Sequence, residues 1–230
     1  MRRLRKVAIF DIDGTIFRSS LLIELVDALI QEGVLKGNVR KQYARAYARW
    51  ADRKDSYEKY LDAVIDAFEA NLKGVRYKDF LRVAKKVVAF HENRVYRYTR
   101  DLVRQLKKKR YYLLAISGSP KAIVQEFCKK LGFNKVYGRI YELDRRERFT
   151  GRITYRELIG DKAKILNRAV DKENLSLKYS IGVGDTESDI GFLKMVDRPI
   201  CFNPNKNLLR IAQRRHWTVV IERKDVIYKL

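Results

Sequence analysis

Two aspartates one residue apart, Asp11 and Asp13, close the apolar run Val7-Ala8-Ile9-Phe10 and are followed at once by Gly14 and Thr15. A short run of Val, Ile and Phe reads as a buried strand, and a Gly-Thr pair ends it. The carboxylates therefore stand at the carboxyl end of a strand, where open α/β sheets hold their ligands. Residues two apart project to the same side of an extended chain, although the turn beginning at Gly14 can re-aim Asp13. Carboxylates that close repel each other unless a cation or a shared proton intervenes. One account is a hard-metal site with one Asp free to act as nucleophile. The other is a strand-end Asx turn with the second Asp capping a helix.

Three further segments bear on that choice. Ile181-Gly182-Val183-Gly184 is a second apolar run, ending at Asp185, with Asp189 four residues on. If Ser188 opens a helix, Asp185 lies in the loop and Asp189 in the first turn, and both can face the cavity of Asp11. Tyr111 to Ile116 is a third strand-like run, ending in Ser117-Gly118-Ser119-Pro120. Pro120 suits a helix start, where free N–H groups and a hydroxyl bind phosphate, although Ser117 could equally be an ordinary N-cap. Gly160-Asp161-Lys162-Ala163-Lys164 opens another helix and brings candidate cations.

DxDGT, a Ser, a Lys and GDxxxD, each at a strand or helix end and in this order, resemble the haloacid dehalogenase superfamily of phosphatases and phosphotransferases. The resemblance covers the whole chain. The helical insert straight after the first motif and the tail Cys201-Phe202-Asn203-Pro204-Asn205 are most similar to the phosphoserine-phosphatase-like branch with a helical cap. The resemblance implies a Mg²⁺-dependent phosphomonoesterase acting on a small phosphorylated metabolite through an aspartyl-phosphate. In that scheme Asp11 is the nucleophile and Asp13 the general acid and base. Mg²⁺ is held by Asp11, the backbone carbonyl of Asp13 and Asp185, while Asp189 holds a metal-bound water or orients Lys162. Ser117 and the Gly118 N–H cradle the phosphoryl group, Thr15 stands near it, and Lys162 neutralises its charge. Transfer to an acceptor other than water is the alternative within the fold. The alternative of another class is a polyanion- or nucleic-acid-binding protein that keeps the fold.

The expected fold class is α/β, a doubly wound, mostly parallel sheet with an inserted all-helical cap. Apolar residues recur at helical spacing in four segments: Leu21 to Ile30, Val39 to Ala51, Tyr57 to Leu72 and Tyr77 to Phe90. No strand signal interrupts them. This gives a cap over 17–93 and a core from 1–16 and 94–230. The core resumes with a helix over about Arg94 to Lys108. The segment from Gly138 to Tyr155 reads as a hairpin.

At 230 residues, 46% of them hydrophobic and spread along the sequence, the chain can bury a sizeable core, a composition that argues against disorder. No apolar run is long enough to span a membrane. The basic start Met1-Arg2-Arg3-Leu4-Arg5-Lys6 leads into a strand that stops at Asp11, so it is not expected to be an export signal. Cys128 and Cys201 lie far apart without metal spacing, which suits a reducing cytoplasm.

Substrate choice resides in the cap. Phosphoserine phosphatases carry a Glu shortly after the first motif for the substrate ammonium, and a cap Arg for its carboxylate. Here Ser20 and Val64 stand near those positions, so phosphoserine is disfavoured. Ser20 serves equally as an N-cap. Tyr43, Tyr47 and Trp50 form a stripe suited to core packing, part of which could line the substrate entrance. His91 and His216 have no evident partners. Lys and Arg number 51 against 28 Asp and Glu, a net charge of +23 that draws polyanions. Lys41, Arg45, Arg49 and Arg53, and also Arg94, Arg97, Arg100, Arg104 and Lys107 to Arg110, run at helical steps as candidate polyanion faces.

Overall fold

The structure is a computed structural model that describes residues 4–155 and 160–230; the basic start at Met1 to Arg3 lies outside them. At its centre is β1 (Arg5–Phe10), fully buried from Val7 onward. It pairs in parallel with β2 (Tyr112–Pro120) on one side and β5 (Leu175–Gly184) on the other. The eight strands run in the order β4-β3-β2-β1-β5-β6-β7-β8. β3 (Lys135–Leu143), β6 (Arg198–Phe202) and β7 (Thr218–Arg223) continue the parallel sheet. β4 (Phe149–Thr154) and β8 (Val226–Lys229) close its edges as antiparallel hairpin partners.

Consecutive residues of the central strands are buried because helices cover both faces of the sheet. Ala8, Phe10, Leu113, Ala115, Ile181 and Val183 point to one layer. Val7, Ile9, Leu114, Ile116 and Cys201 point to the other. The second layer contains α7 (Lys162–Glu173), the short α8 (Ile190–Leu193) and α9 (Lys206–Arg214). Cys128 and Cys201 are both buried and unpaired.

Between β1 and β2 the chain forms five helices: α1 (Leu21–Gln31), α2 (Val39–Ala51), α3 (Tyr57–Leu72), α4 (Tyr77–His91) and α5 (Arg97–Lys108). Helix α5 starts at Arg97 rather than near Arg94. Its start is fixed by a distant carboxylate, since Glu222 accepts the N–H groups of Arg97 and Tyr98 at 3.0 and 2.8 Å. No local pattern could show that tertiary cap. Helix α6 (Lys121–Leu131) follows β2 directly and ends at Gly132 in the left-handed region.

The α3–α4 turn is stitched to the β3–β4 hairpin by main-chain bonds. The Gly74 N–H donates to Phe149 O at 2.8 Å, and the Phe149 N–H donates to Val75 O at 3.0 Å. Beside that seam, Phe68, Tyr77, Phe80, Tyr141 and Phe149 pack ring against ring. The stripe on α2 divides by burial: Tyr43 is buried, Trp50 stacks on Tyr60 at 5.2 Å, and Tyr47 stays half exposed.

Candidate active site

The site lies at the carboxyl edge of the sheet. The Asp11 N–H still belongs to the ladder, donating to Val183 O at 2.9 Å, so the backbone of Asp11 is fixed as firmly as that of a strand. Asp185 follows the last residue of β5. Gly14 adopts φ +78°, and a Cβ there would fall 2.1 Å from Asp185 Oδ2. Only glycine permits both that turn and that approach. The Thr15 hydroxyl, buried beneath, donates to Asp185 Oδ1 at 3.0 Å.

Lys162, the first residue of α7, bonds Asp11 Oδ1 at 2.6 Å and Asp189 Oδ1 at 2.5 Å. The other oxygen of Asp189 accepts the N–H groups of Asp185 and Thr186, at 2.9 and 3.1 Å. Asp189 thus fixes both the lysine and the loop that carries Asp185. Thr186, not Ser188, caps the turn holding Asp189, which is a 3₁₀ helix over Glu187–Asp189.

Asp13 points toward the helices. Its Oδ1 accepts the Leu21 N–H at 2.5 Å and thereby caps α1, a task the Ser20 side chain does not perform. Its Oδ2 accepts hydroxyls from Ser117 and Ser119 at 2.6 and 2.9 Å. The Ser117 oxygen in turn accepts the Ser119 N–H at 2.9 Å, so it braces the end of β2 rather than capping α6. Gly118 is the one exposed residue of β2. Seven of the eight candidate site residues therefore take part in these bonds at this edge, and Gly118 adjoins Ser117 in β2. Lys164, the neighbour of Lys162, is exposed instead.

Burial dominates the electrostatics. It pushes the Asp11 carboxyl up to about 7, against the opposing pull of Lys162 and with help from Asp189 and Asp13. Burial also raises Asp185 well above the ordinary carboxylate range, with Asp11 and Asp189 adding repulsion. Asp13 is raised for the same reason, although its serine and Leu21 bonds favour the charged form. Desolvation alone would lower the Lys162 ammonium, but Asp11 and Asp189 outweigh it and hold the proton on.

Several participants were not assigned from the sequence. Ser119 sits inside the SGSP run and could have been weighed with Ser117. Tyr57 at the start of α3 is shifted upward by burial and then by the Asp13 charge. Next to it, Glu58 accepts from Asn205 Nδ2 at 2.9 Å, and the Asn205 N–H donates to Asp185 O. His91 does have partners. It lies 3.1 Å from Glu24, which also binds Arg94 and Ser19, and it packs edge-on against Phe17.

Acids and one lysine gathered at the carboxyl edge of an open parallel sheet define a class of α/β proteins suited to anionic chemistry around a cation. More particularly, the chain belongs to the haloacid dehalogenase-like hydrolases, whose family profile matches residues 8–194. Over 211 residues it is 25% identical to a phosphoserine phosphatase of Archaeoglobus fulgidus, taking in 91% of this chain and 56% of that protein. The chain thus spans little more than half the length of that relative. It is 22% identical over 224 residues to the inhibition of morphological differentiation protein of Streptomyces azureus, covering 94% of this chain and 78% of that protein. A solved structure of a protein with unknown function from Bordetella pertussis Tohama I superposes with a TM-score of 0.76 at 20% identity, over 96% of this chain and 99% of that one. A phospho-aspartyl intermediate analogue of phosphoserine phosphatase gives 0.60 at 20% identity, over 97% and 96%. At these identities the two structures show the fold.

Proposed function

We propose that this protein is a Mg²⁺-dependent phosphomonoesterase that works through an aspartyl-phosphate on Asp11. The observation that carries the reading is the carboxylate cluster: oxygens of Asp11, Asp185 and Asp189 lie within 4.8 Å of one another, and among the described residues Lys162 is the one cation paired with them. Three acids, Asp11 and Asp189 buried and Asp185 half-buried, stand against one lysine among the described residues and leave negative charge uncompensated. An oxygen-only donor set with that surplus fits a hard divalent cation. Asp11, Asp185 and the backbone carbonyl of Asp13 would hold it, with Asp189 behind them. When bound, Mg²⁺ would neutralise charge on the transferring phosphoryl oxygens.

The chain's own residues divide the remaining work. Asp11, in its ionised form and with Lys162 beside it, attacks phosphorus and takes the phosphoryl group as the ester oxygen leaves. Asp13, whose raised carboxyl retains a proton more readily than an ordinary aspartate, protonates that oxygen and later accepts a proton from water. Ser117 and Gly118 line the phosphoryl pocket. Thr15 keeps Asp185 in register. Helices α1 to α4, residues 17–93, serve as the cap over 1–16 and 94–230. Its position is coupled to the acid–base through the Leu21–Asp13 bond.

The substrate is a small phosphorylated metabolite other than phosphoserine. Val64 is buried and apolar, and Ser20 carries no charge. Glu24, one turn beyond Ser20, is already engaged by Arg94, His91 and Ser19, so it is not free for an ammonium. A reducing cytoplasm suits the two buried, unpaired cysteines, and among the described residues no helix is long and apolar enough to cross a membrane. Hydrolysis of a chromogenic phosphate ester tests the reading. Turnover is expected with Mg²⁺ and not with EDTA, and a panel of phosphorylated metabolites should rank phosphoserine low. Turnover indifferent to EDTA, or none across the panel, would overturn it.

A further inference from the structure

The opposite, amino-terminal edge of the sheet carries a second surface. We propose that it binds single-stranded nucleic acid, with Tyr179 and Trp217 as stacking platforms and the cations around them as phosphate contacts.

The surface begins at an irregularity in β5. Lys6 pairs with Ser176, but Ala8 pairs with Ile181, so Leu177, Lys178 and Tyr179 bulge out of the ladder. Tyr179 lies in the left-handed region at φ 63°, which an aromatic residue adopts only under constraint. Four bonds impose it. The Tyr179 N–H donates to Asp197 Oδ2 at 2.5 Å, Tyr179 O accepts the Tyr111 hydroxyl at 3.1 Å, and Ser180 Oγ donates to Leu177 O at 2.5 Å while accepting the Asp197 N–H at 3.2 Å. The result is a pinned backbone that presents Tyr179 55% exposed. Bulges of this kind re-aim side chains.

Asp197 joins the bulge to a groove of about 380 Å³, which Lys194, Arg198, Arg215, His216 and Trp217 help to line. Lys6 and Lys178 lie over the Tyr179 ring at 5.0 and 5.4 Å, and Arg215 lies over Trp217 at 5.6 Å. Among the described residues, no carboxylate forms an ion pair with Lys6, Lys178, Lys194, Arg198 or Arg215; the nearby Glu173 is taken by Arg5 and Lys135. The one acid in the groove, Asp197, is committed to the bulge. Cations left unpaired in this way, in a chain of net charge +23, form an electrostatic footprint for a phosphate chain.

The aromatic rings decide which phosphate chain. Cations alone would suit any polyanion. The exposed Tyr179 and the half-buried Trp217, set among cations, offer aromatic surface to unpaired bases, whose faces a duplex hides. The surface lies about 16 Å from the acids, taking ~3.3 Å for each of the five strand residues from Lys6 to Asp11. It is therefore independent of the phosphatase reading.

Fluorescence anisotropy with a labelled oligothymidylate, a duplex of equal length and anionic phosphatidylserine vesicles tests the proposal. The single strand should bind best at low salt and weaken as salt rises, with a slope of about −0.7 per phosphate contacted. Tyr179→Ala and Trp217→Ala should each weaken single-strand binding about tenfold, and Tyr179→Phe should leave it intact. Replacing Arg198 and Arg215 with Gln should flatten the slope by about 1.4. Chromogenic ester hydrolysis should be unchanged in all of them. If Trp217→Ala does not fold, the Tyr179 pair decides alone. No binding at low salt, equal or tighter binding to duplex or vesicles, or indifference to loss of the Tyr179 ring would each overturn the proposal.

Discussion

The two ends of the sheet treat charge in opposite ways. At the carboxyl edge the charges are acids, buried or half-buried, each with assigned hydrogen-bond partners, and one lysine serves two of them. At the amino edge Lys6, Lys178, Lys194, Arg198 and Arg215 are exposed and, among the described residues, form no ion pair, and Lys6, Lys178 and Arg215 rest on aromatic faces. Buried charge is costly unless it is paired or coordinated, so the first arrangement persists only where it is fixed and used. Exposed charge costs little and is screened, so the second can accumulate and remain available to a partner. The net charge of +23 therefore says nothing about the chemistry at the acids, and the acids say nothing about where the cations collect.

Asp11→Asn should give the largest effect. The amide is close in size and Lys162 can still bond its oxygen, so the fold should survive while turnover falls to background. Circular dichroism and ester hydrolysis together measure this. Appreciable residual activity, with mass spectrometry showing no deamidation, would remove Asp11 as nucleophile.

Asp13→Asn comes next, with a loss of roughly 10²–10⁴-fold. With substrates whose leaving group needs no proton, a phosphorylated peptide containing Asp11 should accumulate and be found in quenched digests. Label on another peptide would refute the division of labour between the two aspartates. Because Asp13 also caps α1, the variant should retain that helix through the amide oxygen, which still accepts the Leu21 N–H.

The difference between the ends also explains what the chain revealed before its fold was known. The acid site was legible because its ligands cluster in short motifs at strand ends, where apolar runs stop. The helices of the insert were legible because 3.6-residue periodicity is local, and α2 and α3 span the segments it marks. The start of α5 was not, since Glu222 fixes it from far along the chain. Nor were the partners of His91, because Glu24 reaches it from a different helix. The amino edge was illegible for the same reason: Lys6, Tyr179, Arg198 and Trp217 meet only through strand order. Periodicity pointed instead to Arg94 and to α5, where Arg94 proved to be engaged by Glu24, Arg97 by Asp225 O, and Arg100 and Arg104 by Asp101. On α2, Arg49 is likewise engaged by Asp55.

A smaller effect should separate buried acid from exposed charge through pH. The Asp11 carboxyl is raised by burial from its ordinary 3.8 to about 7, so the folded state favours its neutral form. Its contribution to stability is then full below about 4 and is lost as pH rises toward 7. In EDTA, the melting temperature of the wild type relative to Asp11→Asn should fall across that window. Mg²⁺ should flatten the fall by stabilising the ionised form, as any ligand selective for the folded state does. A relative melting temperature that rises or stays level in EDTA would mean that Lys162 compensates the cluster fully.

The smallest effect should come from α5. Replacing Arg97, Arg100 and Arg104 with Gln removes three charges from a helix face that periodicity marks as a polyanion track. Two of these arginines share Asp101, and the third donates to Asp225 O at 3.0 Å. Exposed pairs of this kind contribute about 0–1 kcal/mol each, so the fold should hold. Cations already paired also release fewer counterions to an incoming strand than free ones do. The triple variant should therefore flatten the salt dependence of oligothymidylate binding less than the Arg198 and Arg215 double replacement, despite losing one more charge, and should leave ester hydrolysis unchanged. A larger flattening from the α5 triple would move the nucleic-acid surface to that helix and away from the strand starts.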